Sequence, residues 1–203
     1  MLIYVLASST SNFTQTINAG TLAVDIVDGS YNSVSSPTMA MSNATFSFSC
    51  QTNTGSFGTA SQQIYVSNPD AADNGWTVSL AGSATTAVWD SAGTDFDFND
   101  GSGSGCTDGA DADSVGGQMT VDASGATLAA GPSGASTANI TKGSSASFVE
   151  GTTNTITILT GAAGSADIGD WTLQGVSISQ KIPAQQPAAS DYNINMVLSI
   201  VAS

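Results

Sequence analysis

From Tyr192 to Ile200 every second residue is apolar: Tyr192, Ile194, Met196, Leu198 and Ile200 share one face. A period of two is that of a strand lying on a core. Leu22, Val24 and Ile26 repeat the pattern. Trp171 and Leu173, then Val176 and Ile178, alternate too, but the phase slips at Gly175, where a β-bulge is expected because glycine tolerates one. Further strand candidates are 39–50, 62–67, 75–81, 86–90, 117–122, 126–129, 146–150 and 153–160. No segment offers a helical stripe with caps, and glycine is spread as turn punctuation. Roughly ten short strands at regular spacing predict an all-β chain, an antiparallel β-sandwich or jelly roll.

The organisation follows from the same pattern. No shift of composition demands two domains, so residues 13–203 read as a single β-sandwich domain, with the Gly/Ser/Ala-rich stretch 123–147 as a long surface excursion. Residues 1–12 read as an N-terminal extension. Met1 to Leu6 is apolar, too short to span a bilayer and without a basic flank. It is either the tail of a signal peptide, since Val5-Leu6-Ala7 has a cleavage-site pattern, or a retained strand on the polar leash Ser8 to Asn12. Two segments echo each other: Asp73-Asn74-Gly75-Trp76-Thr77-Val78 and Asp167-Ile168-Gly169-Asp170-Trp171-Thr172. They mark paired strands in two sheets or a favoured entry from turn to strand.

Charge narrows the function. The chain has 203 residues, 16 acids, two lysines, and no arginine or histidine, for a net charge of −14. Only 9% of residues are charged, against roughly 25% in ordinary soluble domains, while 40% are hydrophobic, enough for a full core. Two cations do not neutralise a phosphate backbone, which excludes nucleic acid. An anionic membrane surface is as poor a partner, and no membrane insertion of the mature chain is expected. Without histidine there is no Ser-His or Cys-His nucleophile and no HExxH zinc site. The chain is expected not to be an enzyme; an Asp pair acting on glycosides is the remaining catalytic possibility.

Cys50 and Cys106 are the only cysteines. They predict a single disulfide and an oxidising, extracellular setting, the alternative being two buried thiols. Asn12, Asn43 and Asn139 head Asn-x-Ser/Thr triplets and are possible N-glycosylation sites of an exported chain.

The stretch 90–113 holds seven of the sixteen acids: Asp90, Asp95, Asp97, Asp100, Asp108, Asp111 and Asp113. No lysine lies nearby, and a hard divalent cation would relieve the repulsion, since Ca²⁺ takes carboxylate, amide and carbonyl oxygens in flexible geometry. Extended backbone through Asp95-Phe96-Asp97-Phe98-Asn99 would set three oxygen ligands on one face and two rings on the other. Asp108, Asp111 and Asp113 would add the second arm, with Cys106 tethered between, and Asp100 is a further candidate ligand. The spacing is not that of an EF-hand: counted from Asp95, the loop glycine falls one place late and position 12 is Cys106.

Phe13 to Val24, read as Phe-Thr-Gln-Thr-Ile-Asn-Ala-Gly-Thr-Leu-Ala-Val, resembles the first strand of secreted TasA/camelysin-type fibre proteins. Archaeal bundling pili and cannula subunits are similar in general plan. The resemblance implies a jelly-roll subunit that polymerises by donor-strand complementation, and, from the cannula proteins, bound calcium. The metallopeptidase activity attached to camelysin does not carry over, because no histidine is present to ligate zinc. Gly75-Trp76-Thr77-Val78 and Asp170-Trp171-Thr172-Leu173 are similar to part of the WxL cell-wall-binding domain, but the C-terminal strand has no tryptophan.

Sandwich edges carry unpaired N–H and C=O groups that proteins normally blunt with lysine, proline or charge, and this chain has almost no lysine. Leu2, Ile3, Tyr4, Val5 and Leu6 would serve as a donor strand completing a neighbour's sheet. Head-to-tail addition does not close, so it grows homopolymeric filaments. The expectation is therefore an extracellular structural protein forming a filament, pilus or tube stabilised by Ca²⁺. The alternative is a monomeric surface module that contacts glycan or cell wall through exposed Trp76, Trp89 and Trp171.

Overall fold

In the computed structural model, residues 12–70, 74–109, 114–164 and 168–202 are described. The chain is all-β. Fourteen strands are present among these residues, and the only helical turn is a three-residue 3₁₀ segment at Ser102–Ser104. The excess over ten comes from two- and three-residue strands. Every pairing is antiparallel.

Three four-stranded sheets carry the fold. The first runs β1 (Ala23–Val27), β3 (Gln63–Asn68), β12 (Gly169–Gln174), β8 (Thr127–Ala130); the second β10 (Ala146–Ser147), β7 (Gln118–Asp122), β13 (Val176–Ile182), β2 (Gln51–Phe57); the third β14 (Met196–Ala202), β4 (Trp76–Gly82), β11 (Thr155–Gly161), β9 (Ile140–Lys142). A two-stranded hairpin joins β5 (Val88–Trp89) and β6 (Phe96–Asp97).

The first two sheets are one ribbon folded at a corner. β2 pairs with β13 and β3 with β12, and β7 and β8 likewise pass from one sheet to the other. The bend falls at Gly58 (φ +84°) and Gly175 (φ +78°), and the Gly175 N–H donates to the Gly58 carbonyl at 2.7 Å. Strands that switch sheets need such bends, and the left-handed backbone favours glycine there. The phase slip at Gly175 is therefore a change of sheet, not a bulge within one strand. Trp171, Leu173, Val176 and Ile178 all reach the core because the face presented to it changes at the corner.

One hydrophobic cluster draws on all three sheets. At its centre Trp76 of β4 and Trp171 of β12 are both 0% exposed, with ring centroids 5.4 Å apart. The two echoing segments thus lead into strands of different sheets whose indoles meet; Asp73 and Asp167 lie outside the described residues.

Some expected strands moved. Residues 39–50 form no strand beyond a single bridge from Met41 to Gly55. Instead, β2 follows at 51–57, a polar sequence with no apolar stripe to announce it. The excursion 123–147 contains β8, β9 and β10, with Ala123, Ala126 and Ile140 buried.

A buried carboxylate is held by hydrogen bonds from distant parts of the chain. Asp170 on β12 accepts from the Tyr65 hydroxyl (2.8 Å) and the Ser133 N–H (2.9 Å), and also from the Ser133 hydroxyl. Burial raises its pKa, but these hydrogen bonds outweigh burial and hold the carboxyl below the ordinary range. Burial, with help from Asp170, pushes the Tyr65 phenol up to about 12. A carboxylate depressed in the folded state stabilises above its unfolded pKa, and that contribution is lost as pH falls through the folded value. Denaturation midpoints should therefore fall below the ordinary aspartate range, near pH 4, and Asp170→Asn should flatten that fall while lowering stability at pH 7 by about 1–3 kcal/mol through loss of the buried acceptor.

Candidate functional site

The acidic loop is built from its own backbone. Asp95 Oδ1 accepts from the Ser91 N–H at 2.9 Å, and Asp97 Oδ1 from Phe98 (2.6 Å) and Asn99 (3.2 Å). Asp100 receives the Ser102 N–H on one oxygen and the Gly109 N–H on the other, both at 2.7 Å. Asn99 Nδ2 donates to the Thr85 carbonyl at 2.8 Å. In a chain with two lysines, backbone N–H groups take the place of cations beside these carboxylates.

Phe96 and Phe98 are buried, and so are Asp97, Asn99 and Asp100. The segment is covered on both sides: Phe96 packs on Trp89 (5.7 Å) and Tyr192 (5.1 Å), Phe98 on Phe148 (5.1 Å). Asp97, Asn99 and Asp100 therefore act as struts of the loop, each tied to backbone close by. Asp108 is exposed, while Asp111 and Asp113 lie outside the described residues. Among the described residues no three acidic, cysteine or histidine side chains come together as a metal-holding group.

Cys50 and Cys106 form the disulfide, with Cα atoms 5.6 Å apart. It fastens the acidic loop to the residue just before β2. A bridge of this kind belongs to an oxidising compartment. No helix among the described residues is long and apolar enough to cross a membrane.

The tryptophans divide sharply. Trp76 and Trp171 are core, which removes two of the three residues expected to contact glycan. Trp89 is half-buried, its Nε1 donating to Gln180 Oε1 at 2.9 Å. Gln180 is itself buried and donates to the Asp97 carbonyl at 2.9 Å, tying the β5–β6 hairpin to β13. Trp89, Phe96 and Tyr192 line a half-open groove of about 580 Å³, walled by residues 39–46 and 186–190. Phe46 lines it and is in ring contact with Phe48 at 5.3 Å, both rings being exposed. Asn43 lies on the wall, and Asn12 and Asn139 are exposed. Sequence reading missed this groove, because its residues are scattered from Met39 to Tyr192 and only folding gathers them.

Two further features concern assembly. Among the described residues β14 is an edge strand seven residues long that pairs with β4 and has β1 close beside it without a ladder between them. Its inward Met196, Leu198 and Ile200 are only half-buried, Val197 and Val201 are exposed, and no charged residue follows Asp191. β2, the other seven-residue edge strand, is bridged by Met41, and β1 by Ser33. The second feature is the segment 12–20, exposed throughout, which enters the fold where the Gly20 N–H donates to the Pro69 carbonyl at 3.2 Å. Phe13 and Ile17 are 92% and 89% exposed. Leu2, Ile3, Tyr4, Val5 and Leu6, expected to form a donor strand, lie outside the described residues. Set against known proteins, the chain matches no family model, no curated protein and no solved structure.

Proposed function

We propose that the protein is an extracellular, non-enzymatic structural subunit, a β-sandwich of jelly-roll type. Residues Leu2–Leu6 of one copy add as a strand to the outer edge of β14 in the next. The observation that carries this reading is the β14 edge: seven residues long, uncharged, unbridged among the described residues, with three inward apolar side chains left half-covered. Edges of that kind are templates for pairing. A donor strand would bring Leu2, Tyr4 and Leu6 on one face beside Met196, Leu198 and Ile200. Each side chain fully buried would contribute about 1.5–3 kcal/mol, and the backbone hydrogen bonds would fix register. The contact is between uncharged parts, which suits copies that each carry −14.

The test is electron microscopy of two complementary variants. Wild type should form filaments. L2D/Y4D/L6D, which accepts but does not donate, and Leu198→Lys, which donates but does not accept, should each stay monomeric. Mixed in equal amounts they should give dimers and nothing longer. A wild-type chain that stays monomeric under all conditions, or filaments from either variant alone, would reject the reading.

Ca²⁺ enters the same proposal at the acidic loop, with ligands drawn from Asp95, Asp97, Asn99, Asp100, Asp108, Asp111 and Asp113, whose oxygens suit a hard cation. Millimolar Ca²⁺ should raise the melting temperature over EDTA in wild type and not in D108N/D111N/D113N. Superimposable wild-type curves reject the ion. Asp97→Ala should remove the Ca²⁺ response, while Asp25→Ala should leave it.

A further inference from the structure

The groove walled by residues 39–46 and 186–190 has no charged residue among those lining it. In a chain of net charge −14, the first 24 residues are also free of charge, Asp25 being the first. Phe13 and Ile17 stand almost fully exposed in that neutral stretch. Four residues apart in extended backbone, they project to the same side about 13 Å from one another. Large apolar groups left in water at that density mark a contact surface.

The groove also has a defined place relative to β14. Tyr192 is in its lining, Asn193 exchanges two backbone hydrogen bonds with Asp90 (2.8 and 3.0 Å), and β14 begins at Met196. The groove therefore adjoins the N-terminal end of the proposed acceptor edge. A donor strand running antiparallel to β14 leaves it past Met196, heading for Tyr192. The leash 7–12 spans up to about 20 Å when extended, enough to carry the chain from one to the other. A parallel donor leaves at the opposite end, away from the groove.

We infer that the groove receives Phe13 and Ile17 of a second copy, and that the donor strand runs antiparallel to β14. The setting of this inference rests on the strand-exchange reading above; the contact itself is tested without it. Uncharged groove and uncharged segment meet without desolvating an ionised group, which is the costly step in burying polar surface. Met39 and Met41 in the wall are side chains able to repack around the incoming rings.

The structure supplies its own reporter. Trp76 and Trp171 are wholly buried, so Trp89 is the tryptophan that a quencher dissolved in water reaches first. The experiment is acrylamide quenching of full-length, unglycosylated protein, with Trp89→Phe identifying the quenchable component. A synthetic peptide of residues 12–20 added to the monomer should reduce quenching severalfold, and the same peptide with serine at positions 13 and 17 should not. Filaments of wild type should show the same protection, and filaments of F13S/I17S should leave Trp89 open. Filaments that quench as the monomer does would overturn the inference while leaving strand exchange intact. Absence of filaments would remove strand exchange, and the peptide would then decide the groove alone: no protection overturns the contact. Protection by a neutral oligosaccharide such as cellohexaose or chitohexaose, with none from the peptide, would overturn it in favour of a saccharide site.

Discussion

Trp171→Ala should lower the unfolding free energy by about 3–5 kcal/mol, the cost of emptying a large aromatic site in a packed core. Trp171 belongs to β12 and meets Trp76 of β4, so its indole lies where two sheets face each other. Its Nε1 donates to the Ser136 carbonyl at 3.0 Å, and truncation also strands that acceptor. Against a total stability of about 5–15 kcal/mol, the loss is about a fifth or more, and the urea midpoint should move accordingly with the slope unchanged. Trp89→Ala is the comparison: half-buried and at the rim of the groove, it should cost clearly less. Equal effects at the two positions would mean that the sheets do not pack through the Trp76–Trp171 pair.

These two tryptophans also show what the sequence made legible. Period-two alternation placed β1, β3, β4, β7, β11 and β14 within a few residues, because each has one face on the core. It did not announce β2, whose Gln-Thr-Asn-Thr-Gly-Ser-Phe carries no stripe; its place is set by seven register pairs with β13. Nor did it separate a bulge from a corner at Gly175, since both shift phase by one, and the difference lies in which strand pairs on either side. In the acidic loop the charge count was legible but not its resolution. Asp95, Asp97 and Asp100 accept N–H groups within nine residues of themselves, and local turns of that kind leave no mark in the spacing of the acids. A tryptophan in sequence does not disclose whether its ring faces core or solvent, which is why Trp76 and Trp171 were grouped with Trp89.

The disulfide gives the second large effect. Cys50 and Cys106 are 56 residues apart, and opening a loop of that length should cost roughly 4 kcal/mol in the chain-entropy model. C50S/C106S should therefore unfold at a much lower denaturant concentration than wild type, and wild type held in reductant should behave as the variant does. The folded loop has ties besides the bridge, since Asp100 holds both Ser102 and Gly109. Removing the bridge should accordingly leave the native loop in place and act mainly by freeing the unfolded chain. Two readouts separate that account from a local one. If the bridge acts on the unfolded state, the transition stays single and cooperative and shifts as a whole. If it acts only on the loop, reductant exposes 99–109 to proteases while the global midpoint hardly moves. The first outcome ties the stability of the whole fold to the oxidation state of this one bridge.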